Sequence, residues 1–447
     1  MLFQLPQSEK ALALFSADYE LQCLLDVEAA LALAESRCGI MPAAAAEVIA
    51  AQCKAELFDR SSLAALSTRS GNIAIPLVAQ LTRNVSAANP VAAGFVHWGA
   101  TSQDIIDTAL VLQLRAYLEL LDTTLCDCSR TLAELIEKHK ATIMAGRTWM
   151  QQAVPITFGL KLAGSLDATL RHRERLGQLT PRVLVLQFGG AAGTLASLGT
   201  NGPDVASALA ENLGLAAVLP WHAQRDRIVE VGSFCGLVMS TVGKLARDLS
   251  LMAQTEVGEM AEPAAEGAGG SSTMPHKRNP VALASILTET SRVPGLLSTL
   301  YSAASTQEHE RGLGGWPVEW SVLPEICVST QSALETLCRV LTGMTVNSGM
   351  MRDNLGASGG LMLAEAISMA MAESLGKNEA RRLIQKLSKQ AVDTQVPFVT
   401  ALLNDATIQG HLSPQTVKQL LKPENYLGSA EAMIDRVLAA YSAQEGN

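Results

Sequence analysis

"LVLQLRAYLELLDTTLCDCSRTLAELIEKHKATIMAG", residues 110–146, decides the fold. Its positions Leu114, Tyr117, Leu121, Leu125, Cys128, Leu132, Leu135 and His139 follow one another in steps of three and four. That spacing lines one face of an α-helix. The stretch therefore predicts one helix of about 35 residues ending near Gly146, a rod of roughly 50 Å at about 1.5 Å per residue. A rod of that length cannot cover its apolar seam alone. It calls for a bundle of similar rods, most economically one shared between subunits.

The surrounding chain agrees. Similar long helical patterns run over residues 155–178, 226–257 and 280–305. Before the long helix the pattern is one of short helices broken by turns. "CLLDVEAALALAESRCGIMP" (23–42) has helical apolar spacing and stops at Gly39, with Pro42 just beyond, and "AANPVAAG" (87–94) is another break. After about residue 345 the chain returns to short amphipathic helices. Ala and Leu outweigh Val, Ile and Thr, the bias of a helix former, and aromatics are only 4%. At 447 residues the chain exceeds one compact core. The expectation is an all-α protein with a helical N-terminal domain over 1–97, a central long-helix bundle over 98–345 and a helical C-terminal domain over 346–447.

Charge narrows the partners. A net charge of −9 disfavours nucleic acid and anionic membrane surfaces, but not a small anion held by a few local cations. The eight cysteines include no CxxC pair, and Cys126 and Cys128 fall inside the long helical pattern, so structural thiols in a reducing cytoplasm are expected. The N-terminus lacks the basic start and apolar run of a signal peptide, and no run of about 20 apolar residues marks a membrane span. With no His/Cys ligand cluster and no dinucleotide glycine fingerprint, no metal or organic cofactor is expected.

Three segments have the residue types for chemistry. "VHWGATSQDIIDT" (96–108) places Thr101 and Asp104 in the capping-box pattern at the start of the long helix. Backbone N–H groups and the Thr101 and Ser102 hydroxyls there suit a carboxylate, and His97 is a candidate acid or base. "GRTWMQQAVP" (146–155) frames Trp149 with Arg147, Thr148, Gln151 and Gln152, polar groups fit for an anion. "EGAGGSSTMPHKRNP" (266–280) runs from glycines through Ser271 and Ser272 to Lys277, Arg278 and Asn279, the makings of a lid over an anion. Taken singly, the same segments also suit an ordinary helix cap, an inter-helix loop with a core indole, and a flexible surface loop.

Together they carry a resemblance. "GSSTMPHKRNP" resembles the signature loop of the fumarase/aspartase superfamily, and the other two segments fall where that superfamily has its remaining active-site regions. "LLDVEAALALAE", "QRDRIVE" (224–230) and "QEHERGLGGWPVEW" (307–320) resemble the branch that holds adenylosuccinate lyase and the lactone-forming cycloisomerases. The resemblance covers essentially the whole chain. It implies a homotetramer with a central long-helix bundle and active sites built from three subunits. The superfamily usually has Thr-His where this chain has Thr148-Trp149, and pairs that His with a Glu four residues after the loop's Pro, where this chain has Ala284. Both halves are absent together, which spares the pocket an unpaired buried carboxylate; a packed indole is expected instead. Bacterial cycloisomerases resemble this chain at the Trp position.

A reaction whose nucleophile is the substrate's own carboxylate needs no such pair, because no water or amine has to be deprotonated. The resemblance thus implies lactonisation of a small tricarboxylate, with Ser271 or His97 as proton donor. Lys277 and Asn279 would hold the carboxylate that gathers charge, and Thr101, Ser102, Thr148, Gln151 and Arg311 the others, with Trp149 shaping the pocket. Another lyase of the superfamily, such as adenylosuccinate lyase, and a non-catalytic helical assembly are the alternatives.

Overall fold

A computed structural model describes residues 5–263, 269–270, 273–274 and 276–446. The chain divides into two compact units. Unit 1 comprises residues 1–125, 172–242 and 288–335; unit 2 comprises 126–171, 243–287 and 336–447. Both draw on the same long helices. Helix α1 is Ala17–Arg37. The long ones are α2 (Ser102–Lys138), α3 (Phe158–Val183), α4 (Asp226–Met252), α5 (Val281–Ser305) and α6 (Gly315–Gly343).

Helix α2 has 37 residues, about 55 Å of rod. Leu114, Tyr117 and Leu121 are 0% exposed, and Leu125, Cys128 and Leu132 are 1% exposed. The seam then departs from the expected spacing. Ile136 is fully buried and Leu135 only half-buried. The departure is local: Ile136 takes the place of Leu135 one turn after Leu132, and His139 is buried again as expected.

The helix also stops at Lys138, not near Gly146. Its end is covered by the start of α3: Gly159 N donates to His139 O at 3.0 Å and Phe158 N to Thr142 O at 2.8 Å. A Cβ on Gly159 would sit 2.9 Å from Lys140 Cα, so only glycine permits this approach. Between the two helices lies a hairpin of β1 (Ile143–Thr148) and β2 (Gln151–Thr157), antiparallel, with Thr148 opposite Gln151. A second, minimal pair joins Met260–Ala261 to Thr345–Val346. Apart from one isolated bridge between Val185 and Ala216, the other described elements are helical.

Unit 2 has its own apolar cluster at the C-terminal end of the chain, where Ile367, Met371, Ile384, Leu387, Phe398, Leu402 and Val417 are buried together. Helix α4 is long and apolar enough to cross a membrane by length and composition. It escaped the reading for apolar runs because Glu230, Lys244, Arg247 and Asp248 interrupt it. Its Val231, Cys235, Val238, Leu245 and Leu249 are buried in the protein, as in a core helix.

The seam of α2 makes a direct test. Leu121→Ala is expected to lower the unfolding free energy by about 3–5 kcal/mol, read as a lower urea midpoint. An unchanged midpoint would remove the seam from the list of stabilising contacts.

Candidate active site

The site residues expected from the sequence fall into two sets. In unit 1, the start of α2 is organised by Asp104, which is 1% exposed. Asp104 Oδ2 accepts from Thr101 N at 3.0 Å, the reciprocal half of the expected capping box. It does far more than cap. Gly190 N donates to Oδ2 at 2.8 Å, and Gln187 Nε2, Gly189 N and the ring of His222 reach Oδ1 at 3.0, 3.0 and 2.8 Å. These contacts draw the 187–190 segment onto the helix start. Gly99 seals the approach, since a Cβ there would meet Leu198 Cδ2 at 2.8 Å. Arg311 reaches the same segment, its Nη2 donating to Ala191 O at 3.0 Å. The structure thus brings Thr101, Ser102 and Arg311 around one loop, with Thr101 and Ser102 half-buried. The Asp104 charge already answers part of the helix dipole, so an incoming carboxylate would depend on the hydroxyls and Arg311 more than on the helix end.

One turn further, Asp107 meets Arg225, which is wholly buried. Arg225 Nη1 and Nη2 donate to Asp107 at 2.7 and 3.0 Å, and its Nε and Nη2 to Glu319 at 2.9 and 2.5 Å. Trp316 Nε1 donates to Asp107 at 2.9 Å, and the Trp221 ring lies 4.8 Å from the guanidinium carbon. Burial works against the Arg225 charge, yet the two carboxylates outweigh it and hold the group more strongly protonated than usual. Glu319 is pushed up by burial, with Arg225 opposing. The segments 96–108, 224–230 and 307–320 therefore converge on a structural ion triad. His97, at φ 60°, sits beside Glu28 of α1, with Nδ1 at 2.6 Å from Glu28 Oε1. Burial lowers its pKa, but Glu28 and then Asp104 raise it by more, so the net shift is upward.

In unit 2 the "GRTWMQQAVP" segment is the hairpin rather than an inter-helix loop, and its polar frame is split. Arg147 turns inward, donating to both oxygens of the fully buried Glu259 at 2.9 and 2.6 Å, and Asn354 Nδ2 adds a third donor at 2.9 Å. Gln152 Nε2 donates to Asn354 O at 2.8 Å. Arg147 is thus committed to the fold, whereas Thr148 and Gln151 remain exposed beside the turn. Trp149 and Met150 form that turn with φ 53° and 64°, both left-handed without a glycine, at about 1–2 kcal/mol each. The packed indole expected from the sequence is absent within the protomer: Trp149 is 98% exposed.

Ser271 and Ser272 lie outside the described residues. The neck of their loop is described. Asn279 N donates to Gly269 O at 2.8 Å, and a Cβ on Gly269, at φ 72°, would sit 2.7 Å from Asn279 O. Glu262 closes the same neck by capping α5, accepting from Ala282 N at 3.2 Å and Leu283 N at 2.6 Å. Lys277 is exposed and Asn279 half-buried. Asp104 was expected only as a helix cap, and Arg225, Glu259 and Glu262 escaped the sequence reading. Arg225, Glu259 and Glu262 are ordinary charged residues whose partners lie far along the chain or across a loop, so no local pattern marks them.

With this geometry in view, comparison with known proteins places the chain. A lyase family model matches residues 7–295, and an adenylosuccinate lyase C-terminus model matches 360–437. The chain belongs to this lyase family and is an enzyme of the fumarase/aspartase superfamily. It is 50% identical over 432 residues to the 3-carboxy-cis,cis-muconate cycloisomerase of Pseudomonas aeruginosa, covering 96% of this chain and 94% of that one. The same enzyme of Bradyrhizobium diazoefficiens is 49% identical, with 94% and 93% covered. The crystal structure of the 3-carboxy-cis,cis-muconate lactonizing enzyme of Pseudomonas putida superposes with a TM-score of 0.93 at 45% identity, covering 98% of both chains. Enzymes of this family act on small carboxylates and are typically oligomeric.

Two variants test the polar architecture. Arg225→Met leaves Asp107 and Glu319 buried without their cation and is expected to destabilise unit 1 by about 3–5 kcal/mol; wild-type thermal stability would show the triad to be dispensable. Glu35 is 1% exposed with both carboxyl oxygens unpartnered among the described residues, and burial, then Glu28, push its carboxyl from 4.5 up to about 9. Its folded form therefore stays neutral where the unfolded chain ionises. The stability it contributes is complete below the unfolded value and falls as pH rises toward the folded one. Glu35→Gln should gain on wild type by about 4 kcal/mol between pH 5 and pH 8 in urea unfolding. Parallel pH dependences for the two proteins would contradict this.

Proposed function

We propose that this chain is a 3-carboxy-cis,cis-muconate cycloisomerase, converting its substrate to carboxymuconolactone in aromatic degradation through protocatechuate and β-ketoadipate. The observation that carries the reading is the pair Trp149 and Ala284, which stand where the superfamily usually has an acid–base His and its Glu. An indole cannot deprotonate water or an amine. Lactonisation has no need of it, because the nucleophile is a carboxylate of the substrate itself.

The chemistry follows from charge. One substrate carboxylate adds to C4 and closes the ring, and the electron pair of the double bond collects beside another carboxylate as an enediolate-like carbanion. Lys277 and Asn279 hold that carboxylate; each well-aimed donor contributes about 3 kcal/mol to the barrier change. Thr101, Ser102, Thr148, Gln151 and Arg311 grip the remaining carboxylates. Ser271 or His97 delivers the proton. No cofactor takes part in this scheme.

The active unit in this reading is a homotetramer with three subunits contributing to each site. Support comes from the hairpin tip: a strained turn that presents an indole 98% exposed is costly unless another protomer receives it. Three domains, 1–97, 98–345 and 346–447, organise each protomer. The eight cysteines form no disulfide among the described residues, which suits a reducing compartment, and we place the reaction in the cytoplasm.

Loss of the conjugated diene absorbance of 3-carboxy-cis,cis-muconate is the expected result with purified protein. An unchanged spectrum, with fumarate released from adenylosuccinate, would transfer the chain to the other branch. Ser271→Ala separates the two donors: a fall of 100-fold or more in kcat assigns the proton to Ser271, and retained turnover removes it from the role.

A further inference from the structure

Helix α1 carries Glu28 and Glu35 seven residues apart, two turns along one face, and both are 1% exposed. Glu28 Oε1 is engaged by His97, but Glu28 Oε2 and both oxygens of Glu35 have no hydrogen-bond partner among the described residues. A buried carboxyl left in this state is destabilising. His97 adds a second unfavourable term, since a non-glycine residue at φ 60° is strained. Two such terms meet four residues before Thr101, at the entrance to α2.

We propose that Glu28 is a positioning residue for the reaction, aiming the His97 ring from Nδ1 so that its Nε2–H delivers the proton to the substrate carbanion. This rests on the lactonisation reading above and selects His97 over Ser271 as donor. In the step, the C–O bond of the lactone forms, the electron pair of the double bond moves to carbon, and that carbon takes the proton from Nε2. His97 is left as neutral imidazole and regains a proton from solvent, while Glu28 remains a carboxylate throughout.

The surroundings fit this division of labour. The charged groups acting on His97 are Glu28 on α1 and Asp104 on α2. Facing Glu28 are Glu35 on its own helix and Cys53 after the helix Ala43–Gln52. The Glu35 carboxyl, pushed up to about 9, is neutral at working pH, and burial, followed by Glu28, pushes the Cys53 thiol far up as well. Neither competes with Glu28 for the imidazolium. Removing the Glu28 charge leaves burial as the leading influence on His97, which favours the neutral ring.

The test is the pH profile of kcat/KM with 3-carboxy-cis,cis-muconate for wild type, His97→Gln, Glu28→Gln and Glu28→Asp. His97→Gln is expected to lose at least 100-fold. Glu28→Gln should move the alkaline limb down by one pH unit or more, so that its loss is about tenfold larger at pH 8 than at pH 6, and Glu28→Asp should recover most of the limb. If His97→Gln turns over normally, the donor assignment is wrong. If His97→Gln is slow while Glu28→Gln keeps the wild-type limb, or loses rate equally at every pH, the positioning role is wrong. A readout independent of turnover and of variant folding is carbethoxylation of His97 in the wild-type protein, followed by peptide mass spectrometry. Its midpoint should lie above about 6.5, the value of a free imidazole. A midpoint below that overturns the Glu28 pairing even if the substrate proves to be a different one.

Discussion

A buried charge has to be saturated where it stands, and much of unit 1 is arranged around doing so at the start of one helix. Asp104 gathers five donors, three of them from residues 187–190 and one from His222. Asp107, one turn on, shares Arg225 with Glu319. Without these partners two carboxylates would sit dry on the buried face of α2, a loss that no apolar packing nearby offsets. With them, segments from distant parts of the chain are held against the helix start, and Thr101, Ser102 and Arg311 inherit fixed positions around a single loop. The placement of these candidate substrate-binding groups is a by-product of solving a solvation problem.

Unit 2 solves a related problem with a hairpin. Arg147 and Gln152 are drawn inward by Glu259 and Asn354, and this anchorage is what allows the turn at Trp149–Met150 to hold two left-handed residues. Strain at the tip and ion pairing at the base belong together: the second sustains the first. The loop that ends at Asn279 is closed in a comparable way, with Gly269 against the Asn279 carbonyl and Glu262 capping α5. Thr148, Gln151 and Lys277, groups suited to anion binding, are exposed beside these anchored points. That agrees with a reaction in which electrostatic aim, rather than a strong base, does the chemistry.

What the sequence determined by itself was whatever depends on neighbours within a few positions. The periodicity from Leu114 to Leu132 specified a long buried helix, because every turn repeats the same demand for an apolar face. The order of polar residues in 96–108, 146–155 and 266–280 marked the segments as candidates for chemistry, and the resemblance to the superfamily, through Thr148-Trp149 and Ala284, implied an internal nucleophile. Local pattern failed where a choice turned on distant groups. "ATIMAGRTWMQQAVP" looked like the tail of a helix and a loop. It became two strands because Gly159 closes over His139 and Glu259 claims Arg147, contacts invisible within the window. Asp104 read as a simple cap, and Glu28 as one more acidic residue on an amphipathic helix. Only the tertiary structure showed the first to be a hub and the second to face His97, because the burial that gives a charge its consequences is a property of the packed chain and not of its sequence neighbours.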